Sequence, residues 1–138
     1  MKRFVLDAWA VLALLQKEEP AASRVKSLLE KAQRRQLRLF ISVINLGEVY
    51  YSTGKALGVA EAQKALNVFR RLEVEVVPAI DERVFAAANF KIHHRISYAN
   101  AFAVSTANEF SAVLVTGDPE LIALQEEITL EELTRQKK

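Results

Sequence analysis

Short apolar runs that end on a polar residue alternate along this chain with longer stretches in which apolar residues recur every three or four positions. Phe4-Val5-Leu6 runs into Asp7, and Ala8 to Leu15 follows as an almost continuous apolar helix. A strand feeding directly into a helix predicts a central strand of a parallel α/β sheet. Pro20 suits the first turn of a second helix, in which Val25, Leu28, Leu29 and Ala32 share one face between Ala21 and Gln36. Leu37 to Ile41 reads as a strand, and Ser42 caps a helix from Val43 to Leu57 that ends at Gly58. Ala60 to Leu72 forms the next helix, with Leu66, Val68, Phe69 and Leu72 as its apolar members. Val74 to Pro78 reads as a strand. Asp81 opens a helix to about Arg95, with Val84, Phe85, Ala88 and Ile92 facing inward. Ser97 caps a helix from Tyr98 to about Glu109, and Ala112 to Thr116 is the most strand-like run of all. Gly117-Asp118-Pro119 closes it. The tail from Leu121 carries a short helix, an edge strand near Ile128 and Thr129, and a charged end expected to fray. Strands alternating with helices predict one α/β domain over residues 1–138.

Composition narrows the function classes. The chain has 138 residues, 51% of them hydrophobic and 26% charged, the balance of a soluble globular protein with one core. Its apolar runs are broken by charge before membrane-spanning length, and Lys2 and Arg3 lead into Asp7 with no leader-like segment. A cytoplasmic address is expected. There are no cysteines, which removes thiol catalysis, disulfides and cysteine-based zinc sites together. Net charge is only +2, but basic residues cluster at Lys31 to Arg38, at Arg70 and Arg71, at Lys91 to Arg95, and at Arg135 to Lys138. Taken singly, each cluster reads as a solvated helix face. Set around an acidic pocket they would suit a phosphodiester backbone, with Arg35, Arg38, Lys91 and Arg95 as candidate contacts to it.

Several polar positions fall where such a pocket would form. Asp7 follows the first strand, in the crevice where parallel sheets bind ligands, and either caps the helix or holds a cation. Glu48 lies among Ile44, Leu46, Val49 and Tyr50, with Asn45 one turn earlier on the same face. A buried glutamate implies a partner or a metal, whereas an exposed one is ordinary, and the pattern does not choose between them. Asn100 sits near the start of the helix capped by Ser97. Asp118 follows the last good strand, with Thr116 two residues before it, and Asp-Pro is also a normal helix start.

The segments Phe4-Val5-Leu6-Asp7-Ala8, Ser42 to Val49, Ser97 to Ala103 and Leu114 to Asp118 together resemble the successive motifs of PIN-domain ribonucleases. The match is nearest to the toxins of VapBC toxin–antitoxin systems, and it spans essentially the whole chain. This resemblance implies a three-layer α/β/α fold with a mostly parallel sheet of four to five strands. It implies Mg2+- or Mn2+-dependent RNA cleavage, a homodimer, and neutralisation by a VapB-like antitoxin whose C-terminal segment lies in or near the acidic pocket. Carried over position by position, Asp7, Glu48 and Asp118 match family acids, and Asn45, Thr116 and Ser42 match polar supports.

One position departs from the pattern. The family has aspartate where this chain has Asn100. An amide oxygen adds no negative charge for a hard cation and cannot usefully accept a proton from water. Metal binding is therefore expected to weaken and cleavage to fall roughly a hundredfold or more. Asn100 also favours an alternative, a weak or inactive PIN-like module that docks an antitoxin or another protein. Nucleophilic phosphate chemistry at Asp7 fits less well, because Trp9 stands where a dehalogenase-like phosphatase needs a second aspartate. A nucleotide-binding fold lacks its glycine-rich loops.

Overall fold

The computed structural model describes residues 1–136. Five strands, β1 (Lys2–Leu6), β2 (Leu37–Ser42), β3 (Glu75–Val77), β4 (Val113–Thr116) and β5 (Leu130–Glu132), form one sheet in the order β3-β2-β1-β4-β5. Every pairing is parallel. Seven helices connect them: α1 (Ala8–Leu15), α2 (Ala21–Gln33), α3 (Val43–Leu57), α4 (Val59–Phe69), α5 (Asp81–Ile92), α6 (Tyr98–Glu109) and α7 (Pro119–Ile122).

Both sheet faces are covered, as expected when strands read as nearly continuous apolar runs. Alternation along each strand divides the core in two. Phe4, Leu6, Leu39, Ile41 and Val115 face α1, α2 and α3, packing on Val11, Val25, Leu28 and Leu46. Val5, Phe40, Val77 and Leu114 face the other way, onto Ala103, Val104 and Ala107 of α6 and onto Leu121. The result is the three-layer α/β/α arrangement that the family resemblance implies. Val25, Leu28 and Leu121 are fully buried within this one chain. Those three positions belong to the core of this chain.

Several boundaries shift for identifiable reasons. Helix α2 stops at Gln33 instead of Gln36, because Arg35 takes a left-handed φ of 61° and Arg34 and Arg35 return their N–H groups to Glu30 and Ala32 carbonyls. That position ordinarily carries glycine, so no signal marked it. Helix α5 ends at Ile92 instead of near Arg95. There the Lys91 Nζ donates to the Ile96 carbonyl at 2.7 Å and a ring nitrogen of His94 lies 3.0 Å from the Phe90 carbonyl. The inward face of α5 is also only partly the expected one. Phe85 and Ile92 are exposed, at 71% and 74%, while Ala87 is buried and Val84 and Phe90 pack beside it. Apolar residues surround most of α5, so periodicity had no means to select a side. Val68 of α4 is likewise exposed.

The tail differs most. Its strand is Leu130–Glu132, beyond the expected Ile128 and Thr129, and the chain past it is held rather than frayed. Leu133 is buried and donates its N–H to the Thr116 carbonyl, while Thr134 and Gln136 bond to Ala21 and Glu19. Arg135 pairs with Glu18 at 3.1 Å and lies over the Trp9 ring. Lys137 and Lys138 lie outside the described residues. If Leu133 is part of the core, Leu133→Ala will destabilise the protein by about 2–4 kcal/mol in urea unfolding. A change below about 0.5 kcal/mol would show that this segment contributes nothing.

Candidate active site

Sheet order locates the site before any side chain is considered. The chain moves outward from β1 to β2 and β3 on one side, then returns to β4 and β5 on the other. Where the order reverses, between β1 and β4, a crevice opens beyond the carboxyl ends of the strands. The register pairs Leu6 with Val115, so the next residue on each strand, Asp7 and Thr116, face one another there.

Asp7 is 1% exposed. Its Oδ1 accepts the Ala10 N–H at 2.9 Å, capping α1, and its Oδ2 accepts the Thr116 hydroxyl. Capping and site roles therefore coexist. Burial nevertheless outweighs both hydrogen bonds and pushes the Asp7 carboxyl up from 3.8 to about 7, with the like charges of Asp118 and Glu48 adding to the rise. Glu48, half-buried on α3, is also raised, first by burial and then by Asp118, with the Asn45 amide pulling it back. The Thr116 Oγ1 also accepts the Asp118 N–H at 3.0 Å, so one hydroxyl fixes both acids.

The remaining candidates close the pocket. Ser42 ends β2 and caps α3 by accepting the Ile44 N–H at 3.2 Å. One turn on, Asn45 is fully buried and donates to the Ala99 carbonyl at 3.0 Å, tying α3 to α6. Its Oδ1 has no partner. Asn100, 8% exposed, donates through Nδ2 to Asp118 Oδ2 at 3.2 Å and to Glu120 Oε1 at 2.7 Å. Glu120 also accepts the Ser97 N–H at 2.7 Å. Sequence reasoning passed over Glu120, since a glutamate in the first helical turn is ordinary complementation of the helix dipole.

Not every candidate gathers here. Arg35 and Arg38 sit at the entry to β2, the end of the parallel sheet opposite Asp7. Arg38 lies 3.7 Å from Glu75 and over the Phe40 ring. They do not rim the pocket. Lys91 spends its ammonium on the Ile96 carbonyl, and Arg95 stands two residues before the Ser97 cap. A cavity of about 700 Å3 between α5 and α6, lined by Arg83, His94 and Glu109 among others, contains none of the pocket acids.

Could these residues hold a divalent cation? The donors are hard oxygens, and Asn45 Oδ1 is a buried acceptor still lacking a partner. Among the described residues, no three acidic or histidine side chains come within range of a single ion. The set therefore fits a cation of the Mg2+ class, which keeps much of its water and binds through one or two carboxylates. It does not fit a caged ion.

Gly117 allows the loop to reach this position. A Cβ there would fall inside the van der Waals envelope of the Trp9 ring. Gly117→Ala must displace the indole or the loop that carries Asp118, and an unfolding cost of about 1–3 kcal/mol is expected by urea titration. An unchanged midpoint would mean that the indole moves freely.

The Asp7 shift predicts a pH dependence of definite sign. Its carboxyl is raised on folding, so between about pH 4 and 7 the folded state binds the proton that the unfolded state has lost. Stability thus falls as pH rises through this window. Asp7→Asn retains the cap through its one oxygen, and its NH2 can donate to the Thr116 hydroxyl once that hydroxyl turns its own proton away. It is expected to be more stable than the parent at pH 8 by roughly 2–4 kcal/mol, with the gap shrinking toward pH 4. Denaturant unfolding at both pH values measures this, and equal stability at pH 8 would mean the ionised carboxylate costs nothing.

The profile of the family described as PIN domain matches residues 4–127. No curated protein matches the chain in sequence. Among solved structures, VapBC2 from Rickettsia felis bound to a promoter DNA fragment superposes with a TM-score of 0.71 at 18% identity, covering 96% of this chain and 99% of that one. VapC20 from Mycobacterium tuberculosis, described as a sarcin–ricin loop cleaving toxin, gives 0.73 at 15% identity over 96% and 99% of the two chains. VapBC-1 from nontypeable Haemophilus influenzae gives 0.68 at 18% identity over 94% and 97%. At these identities the likeness concerns the fold.

Proposed function

The chain belongs to the PIN-domain family, and from that premise we propose that it is a VapC-type toxin, an endoribonuclease that uses Mg2+ or Mn2+ to hydrolyse RNA phosphodiesters in the cytoplasm. One observation carries this reading. Asp7, Glu48 and Asp118, from three elements far apart in sequence, share a pocket where their charges raise Asp7, and Asp118 raises Glu48. Among the described residues, no Lys, Arg or His side chain pairs with any of the three. Such an arrangement is costly and persists where a cationic ligand compensates for it.

In this reading Asp7 and Asp118 hold the cation, with Glu48 beside them and Asn45 and Ser42 as supports. The chemistry a divalent ion supplies there is Lewis acidity toward a phosphodiester oxygen and a more acidic water. The chain itself supplies orientation. Thr116 and the α1 N-terminus fix both Asp7 oxygens, and Thr116 and Asn100 fix Asp118. Asp7, poised near neutrality while the site is free of cation, can release its proton at little cost when positive charge arrives. Lys91 and Arg95, at the α5–α6 corner, are the basic residues from which RNA contacts are proposed. The amide of Asn100 contributes no charge, so the rate is lower than an aspartate there would give. A VapB-like antitoxin and a second copy of the chain are the proposed partners, in keeping with the VapBC assemblies that share the fold.

A second reading, a PIN-like module that has lost cleavage and docks an antitoxin, draws on Asn100 alone. Its neutral amide satisfies two carboxylates with no cation present. Cleavage of a mixed RNA pool separates the two. The nuclease reading expects Mg2+- or Mn2+-dependent cleavage that is lost with chelator and reduced a hundredfold or more by Asp7→Asn or Glu48→Gln. Metal-independent cleavage, or equal rates in all three proteins, would overturn it.

A further inference from the structure

Resting on the nuclease reading above, we propose that Trp9 is a positioning residue for Asp118 and that Arg135, in the C-terminal segment, sets Trp9. Cation affinity in the pocket then depends on the tail of the chain.

Hydrogen bonds alone leave the Asp118 loop loosely fixed. The Asp118 N–H donates to Thr116 Oγ1 and its Oδ1 accepts the Glu120 N–H, and both bonds move with the loop. Only the Asn100 amide ties Asp118 to another element, at 3.2 Å, the long end of the range for such a bond. Packing supplies what is missing. Trp9 stands two residues after Asp7, in the first turn of α1, whose buried face is formed by Ala8, Ala10, Val11 and Ala13. The indole stands at the margin of that set, and its benzo edge, Cζ2, Cη2 and Cζ3, takes the space where a side chain at position 117 would begin. Helix α1 is capped by Asp7 and carries the ring that presses on the residue before Asp118. The indole is thus a spacer between the two acids. A Mg2+-class ion held by both requires their separation to be set closely, because its coordination distances and angles tolerate little spread.

The tail fixes this spacer. The Arg135 guanidinium lies 5.3 Å from the Trp9 ring centroid, and its Nη1 donates to both Glu18 oxygens at 3.1 and 3.2 Å. The backbone around it is anchored too: Leu133 donates to the Thr116 carbonyl at 2.8 Å and Gln136 to the Glu19 carbonyl at 2.9 Å, while the Thr134 carbonyl accepts the Ala21 N–H at 3.0 Å. The same segment therefore grips the loop twice, once through the Thr116 backbone and once through Trp9 on Gly117.

The test uses the full chain and reads Mn2+ affinity by calorimetry, with amide exchange at Asp118 measured by NMR in metal-free protein. Trp9→Ala is expected to lower Mn2+ affinity by roughly tenfold or more. It is also expected to speed exchange at Asp118 roughly tenfold relative to amides of β2. Arg135→Ala is expected to lower the affinity roughly threefold, and Arg135→Lys, which keeps a cation over the ring, to retain it. Gly117→Ala is expected to weaken binding in the parent and to add no further loss in Trp9→Ala, where the new Cβ has room. A merely structural role would lower the melting temperature and leave Mn2+ affinity unchanged. That result in Trp9→Ala, or in Arg135→Ala should Trp9→Ala not fold, would overturn the proposal, as would unchanged exchange at Asp118. The nuclease reading would still stand, because the parent binds the ion. If the parent itself binds no Mn2+, the nuclease reading fails and takes this proposal with it.

Discussion

A single buried carboxylate constrains this molecule more than any other group. Asp7 ends the central strand, sits out of water, and spends both oxygens on the protein, one on the α1 N-terminus and one on Thr116. That placement depends on the parallel register of β1 and β4, which sets Leu6 beside Val115. It depends equally on α1 starting at once after the strand, so that a free N–H lies within reach. The two hydrogen bonds do not offset the burial, since the carboxyl still rises to about 7. The fold carries an electrostatic cost at its centre and keeps it in the crevice where parallel sheets present ligands.

From Asp7 a chain of polar contacts runs outward along one edge of the pocket. Thr116 joins Asp7 to Asp118, Asn100 joins Asp118 to Glu120, and Glu120 returns to the first backbone N–H before α6. Each member lies at the end of a strand or within the first turns of a helix, where backbone donors lack helical partners. Gly117 permits this crowding, because Trp9 fills the space a side chain would need. The Trp9 indole is in turn covered by Arg135 from the tail. Segments that look peripheral in sequence thus support the loop bearing Asp118. Membership of the PIN-domain family agrees with this geometry.

Much of this was legible along the chain, and the reason is local. Strand β1, the cap at Asp7, the cap at Ser42 and the Asn45–Glu48 spacing each depend on residues within a few positions of one another, which is the range over which apolar periodicity and capping chemistry operate. Order and type of the main elements followed from the same signals. What stayed hidden was whatever depends on distant neighbours. The apolar residues of α5 pointed in too many directions, and only packing against α6 chose Ala87 over Phe85 and Ile92. The tail looked free until Leu133 found Thr116 and Gln136 found Glu19.

The same division runs through the pocket. Sequence by itself determined which residues carry negative charge and that Asp7 and Asp118 follow strands. It also showed that position 100 bears an amide. Tertiary structure alone decided that Arg35 and Arg38 stand at the far end of the sheet, that Glu48 is half-buried, and that Glu120 meets Asn100 across twenty residues. Burial, like-charge repulsion and hydrogen bonding act over a few ångströms of space, whatever the separation along the chain, and only the folded sheet converts one into the other.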